Sequence, residues 1–172
     1  MRIFLIGFMA SGKSTIGKKL ANKLNLPFID LDTYIEKKFN KTIKFLMYKK
    51  GQEEFRVIER KALSEVIEKY NDAIISTGGG TPCFFDNMER MRKNGTTIYL
   101  EMDVPTLVNR LIYAKKDRPL IWGKSKEDLT IYVKELLSKR KSDYEQADFK
   151  VNGKNLNVKL LVDLINKEVL SG

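Results

Sequence analysis

Apolar residues follow two alternating patterns along this chain. Short apolar runs, or apolar residues that alternate with polar ones, predict five strands, at residues 2–6, 27–30, 73–76, 96–100 and 148–151. Elsewhere apolar residues recur every three or four positions, which predicts helices. The predicted helices are residues 13–24, a helix through Tyr34, Ile35 and Phe39, a short helix that Thr42 caps and Gly51 ends, residues 52–69 and 85–93, a helix from Pro105 through Ile112, residues 127–145, and a last helix through Val158 and Val169. This alternation predicts an α/β fold, a parallel sheet with helices on both faces.

Three polar clusters each follow one of the predicted strands, at residues 7–14, 30–32 and 77–80. The carboxyl ends of parallel strands meet at one edge of a sheet, and ligands of such folds bind there. We therefore expect the three clusters to form one cleft.

The first cluster is a specific motif. Residues 7–14 have the pattern G-x-x-x-x-G-K-S between a predicted strand and a predicted helix, which is the context that a phosphate-binding loop requires. Backbone N–H groups and the helix N-terminus would attract phosphate. Lys13 is expected to contact the β- and γ-phosphates, and the Ser14 hydroxyl to bind magnesium. The alternative is a chance match in a turn, which the flanking strand and helix make much weaker.

Length and charge restrict the class of protein. The 172 residues fit one compact domain, residues 1–172. With 32 Lys and Arg against 22 Asp and Glu, the formal net charge is +10, which favours anionic ligands. The lysines are dispersed, without the basic stripe and interleaved aromatic residues of a nucleic-acid site. We expect no nucleic-acid partner, and a nucleotide- or nucleic-acid-binding regulatory protein remains the non-enzymatic alternative.

Cysteine and histidine content restricts the chemistry. The single cysteine, Cys83, excludes an intramolecular disulfide and fits a reducing compartment. The chain has no histidine, so acid–base catalysis would fall to carboxylates or lysine. No signal peptide is visible, and no apolar run approaches the roughly 18 residues that a membrane span needs. A cytoplasmic protein without a membrane partner is expected.

Two polar clusters permit both functional and structural interpretations. Asp30 and Asp32 suit a magnesium site and an acceptor hydroxyl, but Asp32 equally suits a helix cap. Glycines 78–80 favour a backbone surface for a small substrate, although they also fit a flexible turn.

The arginines of the sequence also permit more than one interpretation. By spacing alone, Arg56 is typical of a surface ion pair and Arg140 of a solvated basic face. Residues 115–124, in which Arg118 precedes a proline, suit a lid over phosphate and equally an ordinary surface loop.

The order of several motifs resembles the shikimate kinase family. The motifs are residues 7–14, Ile29–Asp32, Gly51–Arg56, Ser76–Gly80, Arg118–Leu120 and Arg140-x3-Tyr144, and they span nearly the whole chain. The resemblance implies a three-layer α/β/α P-loop kinase fold whose five parallel strands have the order 2-3-1-4-5. It implies a substrate-binding helical segment at about residues 32–60 and a lid at about residues 113–124. The implied reaction is magnesium-dependent transfer of the γ-phosphoryl group of ATP to the 3-hydroxyl of shikimate.

Site roles follow from the same resemblance. It implies that ATP is bound by Ala10, Ser11, Gly12, Lys13, Ser14, Thr15, Arg110 and Arg118. It implies that shikimate is bound by Asp32, Arg56, Gly78, Gly79, Gly80 and Arg140. The implied catalytic residues are Lys13, Asp32 and Arg118, and the implied magnesium ligands are Ser14 and, through water, Asp30. The implied partners are these two substrates, with the chain as a monomer.

A related small-metabolite kinase is the enzymatic alternative, such as a gluconate kinase or a nucleoside monophosphate kinase. We expect such kinases to lack the combination of Arg56 with glycines 78–80. Residues 152–155 depart from the family, because many members have an arginine there that faces the adenine.

Overall fold

The computed structural model describes residues 1–114 and 123–168. Its strands are β1 (Arg2–Ile6), β2 (Phe28–Asp30), β3 (Ala73–Ser76), β4 (Thr96–Glu101) and β5 (Phe149–Asn152). Its helices are α1 (Lys13–Leu24), α2 (Leu31–Phe39), α3 (Ile43–Lys69), α4 (Asn87–Asn94), α5 (Val104–Ile112), α6 (Lys126–Tyr144) and α7 (Val158–Glu168). Most of the predicted lid, including Arg118, lies outside the described residues, as does Val169. Within residues 1–114 and 123–168, none of the helices has the length and apolar character that crossing a bilayer demands.

The five strands form one parallel sheet in the order β2-β3-β1-β4-β5, which confirms the predicted order. Successive side chains of the central strand β1 point to opposite faces. Ile3 and Leu5 pack with apolar residues of α1 and α7. Phe4 and Ile6 pack with a second cluster that includes residues of α2, α3, α5 and α6. Helices therefore cover both faces of the sheet, as the apolar run Ile3–Ile6 of β1 predicts.

Helix α3 contains both helices predicted on either side of Gly51. The backbone at Gly51 is non-helical, with φ 80° and ψ 166°, a conformation that a residue without Cβ adopts readily. Thr42 caps the start of α3, and its side-chain oxygen accepts the N–H of Phe45 at 3.1 Å. The predicted break is thus a kink between two helical halves.

The turn after β3 differs from the sequence prediction. Thr81–Cys83 form a short 3₁₀ turn, and α4 begins at Asn87. The predicted helix start at Phe85 is wrong, because Phe85 has φ 53°, a left-handed conformation that an α-helix of L-residues does not contain. This turn places the ring of Phe84 against Arg56, with 4.2 Å between the ring centre and the guanidinium carbon.

Candidate active site

The loop between β1 and α1 borders a cavity of about 660 Å³. Gly7 and Gly12 have φ values of 141° and 96°, in the region that favours glycine. A Cβ atom on Gly7 would lie 2.8 Å from the carbonyl oxygen of Leu100, so the loop passes β4 too closely for any side chain. Residues 9–15 line the cavity at the N-terminus of α1. That helix end favours a bound anion.

Lys13 holds a positive charge inside this loop. The residue is 7% exposed. Its Nζ atom donates to the carbonyl oxygens of Gly7 and Phe8, both at 2.8 Å, and lies 3.4 Å from Ser11 Oγ. A phosphate in the loop would therefore meet backbone N–H groups and an ammonium group together.

Ser14 and Asp30, whose side chains end in oxygen atoms, lie side by side next to the loop. Ser14 Oγ donates to Asp30 Oδ2 at 2.6 Å and lies 3.4 Å from Ser76 Oγ. The other Asp30 oxygen accepts the N–H of Thr33 at 3.1 Å, so Asp30, and not Asp32, caps α2. The cap fixes the Asp30 carboxylate. Magnesium prefers oxygen ligands of these types beside phosphate, so Ser14 and Asp30 fit a magnesium site.

Arg110 of α5 contacts the phosphate-binding loop. Its Nη1 atom donates to the carbonyl oxygen of Ala10 at 3.3 Å, and a Cβ atom on Gly12 would lie 3.3 Å from it. Gly153 and Asn155, which follow β5, line the same cavity. A planar guanidinium group opposite a backbone segment suits a flat aromatic base.

Glycines 78–80 and Asp32 form the opposite end of the cavity. Asp32, Gly78 and Gly79 line it. A Cβ atom on Gly78 would lie 3.2 Å from Asp32 Oδ1 and 3.0 Å from Glu59 Oε1. The segment therefore packs against two carboxylates with no room for a side chain. Close approach, rather than flexibility, accounts for the glycine at position 78.

Arg56 of α3 is buried against this segment, with 6% of its surface exposed. Its Nη1 atom donates to Glu59 Oε2 at 2.8 Å, and Glu59 Oε1 accepts the Thr81 hydroxyl at 2.7 Å. Its Nη2 atom would lie 2.7 Å from a Cβ atom on Gly80. Within the described part of the chain, the buried Arg56 Nε has no hydrogen-bond partner. An unsatisfied buried donor costs about 1–3 kcal/mol, so this position suits an anionic ligand.

Arg140 of α6 contacts the same segment from another helix and is 9% exposed. Its guanidinium carbon lies 5.8 Å from the centre of the Phe8 ring, and its Nη1 atom would lie 3.5 Å from a Cβ atom on Gly79. Nearby, burial raises the pKa of the Cys83 thiol to about 12, so this thiol stays neutral beside the arginine. Two guanidinium groups from separate helices therefore contact the glycines.

The comparisons with known proteins agree on one family. A family model described as shikimate kinase matches residues 9–169. The shikimate kinase of Azobacteroides pseudotrichonymphae is 52% identical over 146 residues, which are 85% of this chain and 86% of the relative. The chain belongs to the shikimate kinase family.

Solved structures of shikimate kinases share the whole fold. The shikimate kinase of Bacteroides thetaiotaomicron matches with a TM-score of 0.91 at 42% identity, over 100% of this chain and 99% of that one. A shikimate kinase from Acinetobacter baumannii, solved in complex with shikimate, matches with a TM-score of 0.86 at 31% identity, over 99% of this chain and 93% of that one. Shikimate kinases are ATP-using kinases, and this chain is such an enzyme. The other kinase classes and the regulatory protein considered above are not favoured.

The cavity gathers many of the residues that the shikimate kinase resemblance implied. The implied residues that line it are Ala10–Thr15, Asp30, Asp32, Gly78, Gly79 and Arg110. Arg56 and Arg140 are packed against glycines 78–80. Neither these two arginines nor Gly80 line the cavity itself. Arg118 lies outside the described residues.

Sequence spacing alone misjudged the surroundings of Arg56 and Arg140. The interpretation of Arg56 as a surface ion pair and of Arg140 as a solvated face is wrong, because both residues are buried. Glu59, which accepts from Arg56, and Thr81, which donates to Glu59, were not identified as site residues. Glu59 follows Arg56 by three positions on α3, and that helical spacing was the available signal.

Proposed function

We propose that this chain transfers the γ-phosphoryl group of ATP to the 3-hydroxyl group of shikimate. The products are shikimate 3-phosphate and ADP, a step of the shikimate pathway toward aromatic amino acids. The observation that carries the proposal is the pair of buried arginines, Arg56 and Arg140, against glycines 78–80 beside a phosphate-binding loop. The loop fits any ATP-using kinase, whereas two guanidinium groups fit an acceptor that carries a carboxylate.

ATP is proposed to bind with its phosphates in residues 10–15 and its base against Arg110. Lys13 neutralises charge on the β- and γ-phosphates from inside the loop. Ser14 is the proposed direct ligand of magnesium, and Asp30 the ligand through water. Bound there, magnesium would neutralise phosphate charge and orient the phosphates for transfer.

Shikimate is proposed to bind with its carboxylate between Arg56 and Arg140. Glu59 accepts from Nη1 of Arg56. The Nε atom has no partner among the described residues but is itself buried, so a carboxylate oxygen would reach it only after a local rearrangement. A planar guanidinium matches a carboxylate through two parallel hydrogen bonds, which lysine cannot make. Backbone groups of residues 78–80 complete the pocket, and Asp32 accepts hydrogen bonds from ring hydroxyls.

The proposed transfer is an in-line displacement. The 3-hydroxyl oxygen attacks the γ-phosphorus while the bond from that phosphorus to the departing ADP oxygen breaks. Asp32 takes the hydroxyl proton, and Lys13 and Arg118 stabilise the transferring charge. Positioning and charge neutralisation dominate phosphoryl transfer. A carboxylate is therefore a sufficient base in a chain that has no histidine.

The whole chain, residues 1–172, is proposed to be one domain in which residues 32–60 bind the acceptor and residues 113–124 are a lid over the phosphate. The protein is expected to act as a monomer in the cytoplasm.

The test is a coupled assay of ADP release with ATP and magnesium. Shikimate, gluconate, AMP and no acceptor are compared at equal concentration. We expect strong dependence on shikimate alone, with phosphate recovered on its 3-hydroxyl. Release that depends on gluconate or AMP would retain a P-loop kinase and reject the shikimate pocket. ADP release that no acceptor stimulates would reject the proposed reaction.

A further inference from the structure

Tyr144, the last residue of α6, ties that helix to the glycine segment. Its hydroxyl donates to the carbonyl oxygen of Gly79 at 2.5 Å. The side chain is fully buried, and its ring centre lies 5.1 Å from the ring centre of Tyr99 on β4. A buried ring packed in this way has little freedom to move, so the position of its hydroxyl is well defined.

Tyr144 lies one helical turn after Arg140 on α6, and Arg140 Nη1 would lie 3.5 Å from a Cβ atom on Gly79, the residue that Tyr144 holds. Burial raises the pKa of this phenol. The phenol is therefore neutral at physiological pH. A neutral hydroxyl can donate to the Gly79 carbonyl, so the helix that carries Arg140 is also the helix that holds Gly79.

Gly79 lies close to both the phosphate-binding loop and Arg140. A Cβ atom there would lie 3.0 Å from the backbone nitrogen of Met9, in the phosphate loop, and 3.5 Å from Arg140 Nη1. A shift of Gly79 would therefore change the distance between the phosphate loop and the acceptor end.

The Gly79 carbonyl also sets the orientation of the next residue. The described peptides are not cis, and in a planar trans peptide the C=O and the following N–H point in opposite directions. Holding the Gly79 carbonyl toward Tyr144 thus directs the N–H of Gly80 away from it. Gly80 is the glycine that packs on the Arg56 guanidinium, so the peptide links both arginines.

We propose that Tyr144 is a positioning residue for the acceptor. Its hydroxyl fixes the Gly79–Gly80 peptide relative to Arg140, and so sets the spacing of the groups that hold the carboxylate. The inference rests on the proposed function, because the ligand it concerns is shikimate.

The test is Tyr144→Phe, which removes the hydroxyl and keeps the buried ring. Tyr99→Phe is the matched control, because it removes a hydroxyl from the adjacent ring, which is not hydrogen-bonded to glycines 78–80. For each protein, shikimate binding is measured by isothermal titration calorimetry, the KM values for shikimate and ATP by ADP release, and the unfolding midpoint by calorimetry.

For Tyr144→Phe we expect the Kd and KM for shikimate to rise about tenfold, the equivalent of one net hydrogen bond. We expect the KM for ATP to stay within about twofold, and Tyr99→Phe to match the wild type in both constants. A lower unfolding midpoint with an unchanged shikimate Kd would show a structural role only and overturn the inference. Equal losses for ATP and shikimate would also overturn it. If the wild-type chain neither binds nor phosphorylates shikimate, the proposed function fails, and this inference fails with it.

Discussion

The two ends of the cavity are built in different ways. The nucleotide end is dominated by one continuous stretch, residues 2–15, in which β1, a glycine-containing loop and the start of α1 follow one another. The acceptor end is assembled from separate stretches of chain. Its members are Asp32 of α2, Arg56 and Glu59 of α3, Gly78–Gly80 after β3, Thr81 and Phe84 in the following turn, and Arg140 and Tyr144 of α6.

This difference determines what each end contributes. A continuous loop presents backbone N–H groups and one lysine, which recognise phosphate in any nucleotide. The acceptor end depends on buried charges whose positions are set by other side chains, as Glu59 does for Arg56. The affinity for ATP therefore depends mainly on one local stretch of sequence. The choice of acceptor depends on how α3, α6 and the turn after β3 pack against one another.

The largest expected effect is on the stability of the acceptor end. Glu59→Ala removes the buried partner of Arg56 and leaves a guanidinium without a countercharge, a change that costs about 3–5 kcal/mol. The free energy of unfolding from urea titration should fall by that amount. The matched control is Glu54→Ala, because Glu54 pairs with Lys50 at 2.8 Å on the exposed side of the same helix. That loss should stay below about 1 kcal/mol, and equal losses would contradict the role of the buried pair.

Substitution at the nucleotide end is expected to lower kcat. Lys13→Ala removes the charge inside the loop, and the loss of one such contact lowers kcat by about 10²–10³-fold. Initial rates at saturating shikimate measure the effect, and calorimetry should find shikimate affinity nearly unchanged. The control is Lys18→Ala, an exposed lysine of the same helix. Near-normal turnover of Lys13→Ala would remove the loop from the mechanism.

Substitution at the acceptor end is expected to weaken the binding of shikimate. Arg140→Ala removes charge-assisted hydrogen bonds worth about 1.5–3 kcal/mol, so the KM for shikimate should rise about 10- to 100-fold. The KM for ATP should change little. Arg60→Ala is the control, since Arg60 pairs with Asp86 on the surface of α3. A change confined to the KM for ATP would show that Arg140 serves the other substrate.

A smaller effect is expected from alkaline pH. Burial raises the pKa of the Cys83 thiol from 9.0 to about 12. The unfolded chain loses this proton first, so the contribution to stability is complete below pH 9 and declines as the pH rises toward 12. Urea titrations of the wild type and Cys83→Ala at about pH 8 and about pH 10.5 measure the difference. The wild type should lose more stability than the variant, and identical losses would contradict the burial of this thiol.

The sequence predicted the nucleotide end because its determinants are contiguous. The glycine spacing, Lys13 and Ser14 define the loop without knowledge of the rest of the chain. The sheet was predictable for a similar reason, since each apolar run is long enough to indicate a buried strand. The strand order came from the family resemblance.

The acceptor end could not be derived from spacing because burial is decided by distant elements. Arg56 follows a helical pattern that is equally typical of a surface ion pair. Residues far along the chain bury it, because Gly80 and the Phe84 ring pack on its guanidinium group. The left-handed conformation of Phe85 similarly has no local signal and shortens the predicted helix. The resemblance named Arg56 as a ligand, but not the side chains that hold it.

The most direct test of the account compares shikimate with its methyl ester as acceptors for the wild-type chain. The ester keeps every ring hydroxyl, removes the carboxylate charge that Arg56 and Arg140 are proposed to bind, and adds one methyl group there. We predict that kcat/KM for the ester falls about 100-fold or more, because two charge-assisted contacts worth about 1.5–3 kcal/mol each are lost, while the KM for ATP is unchanged. Equal kcat/KM values for the acid and the ester would contradict carboxylate recognition by the two buried arginines.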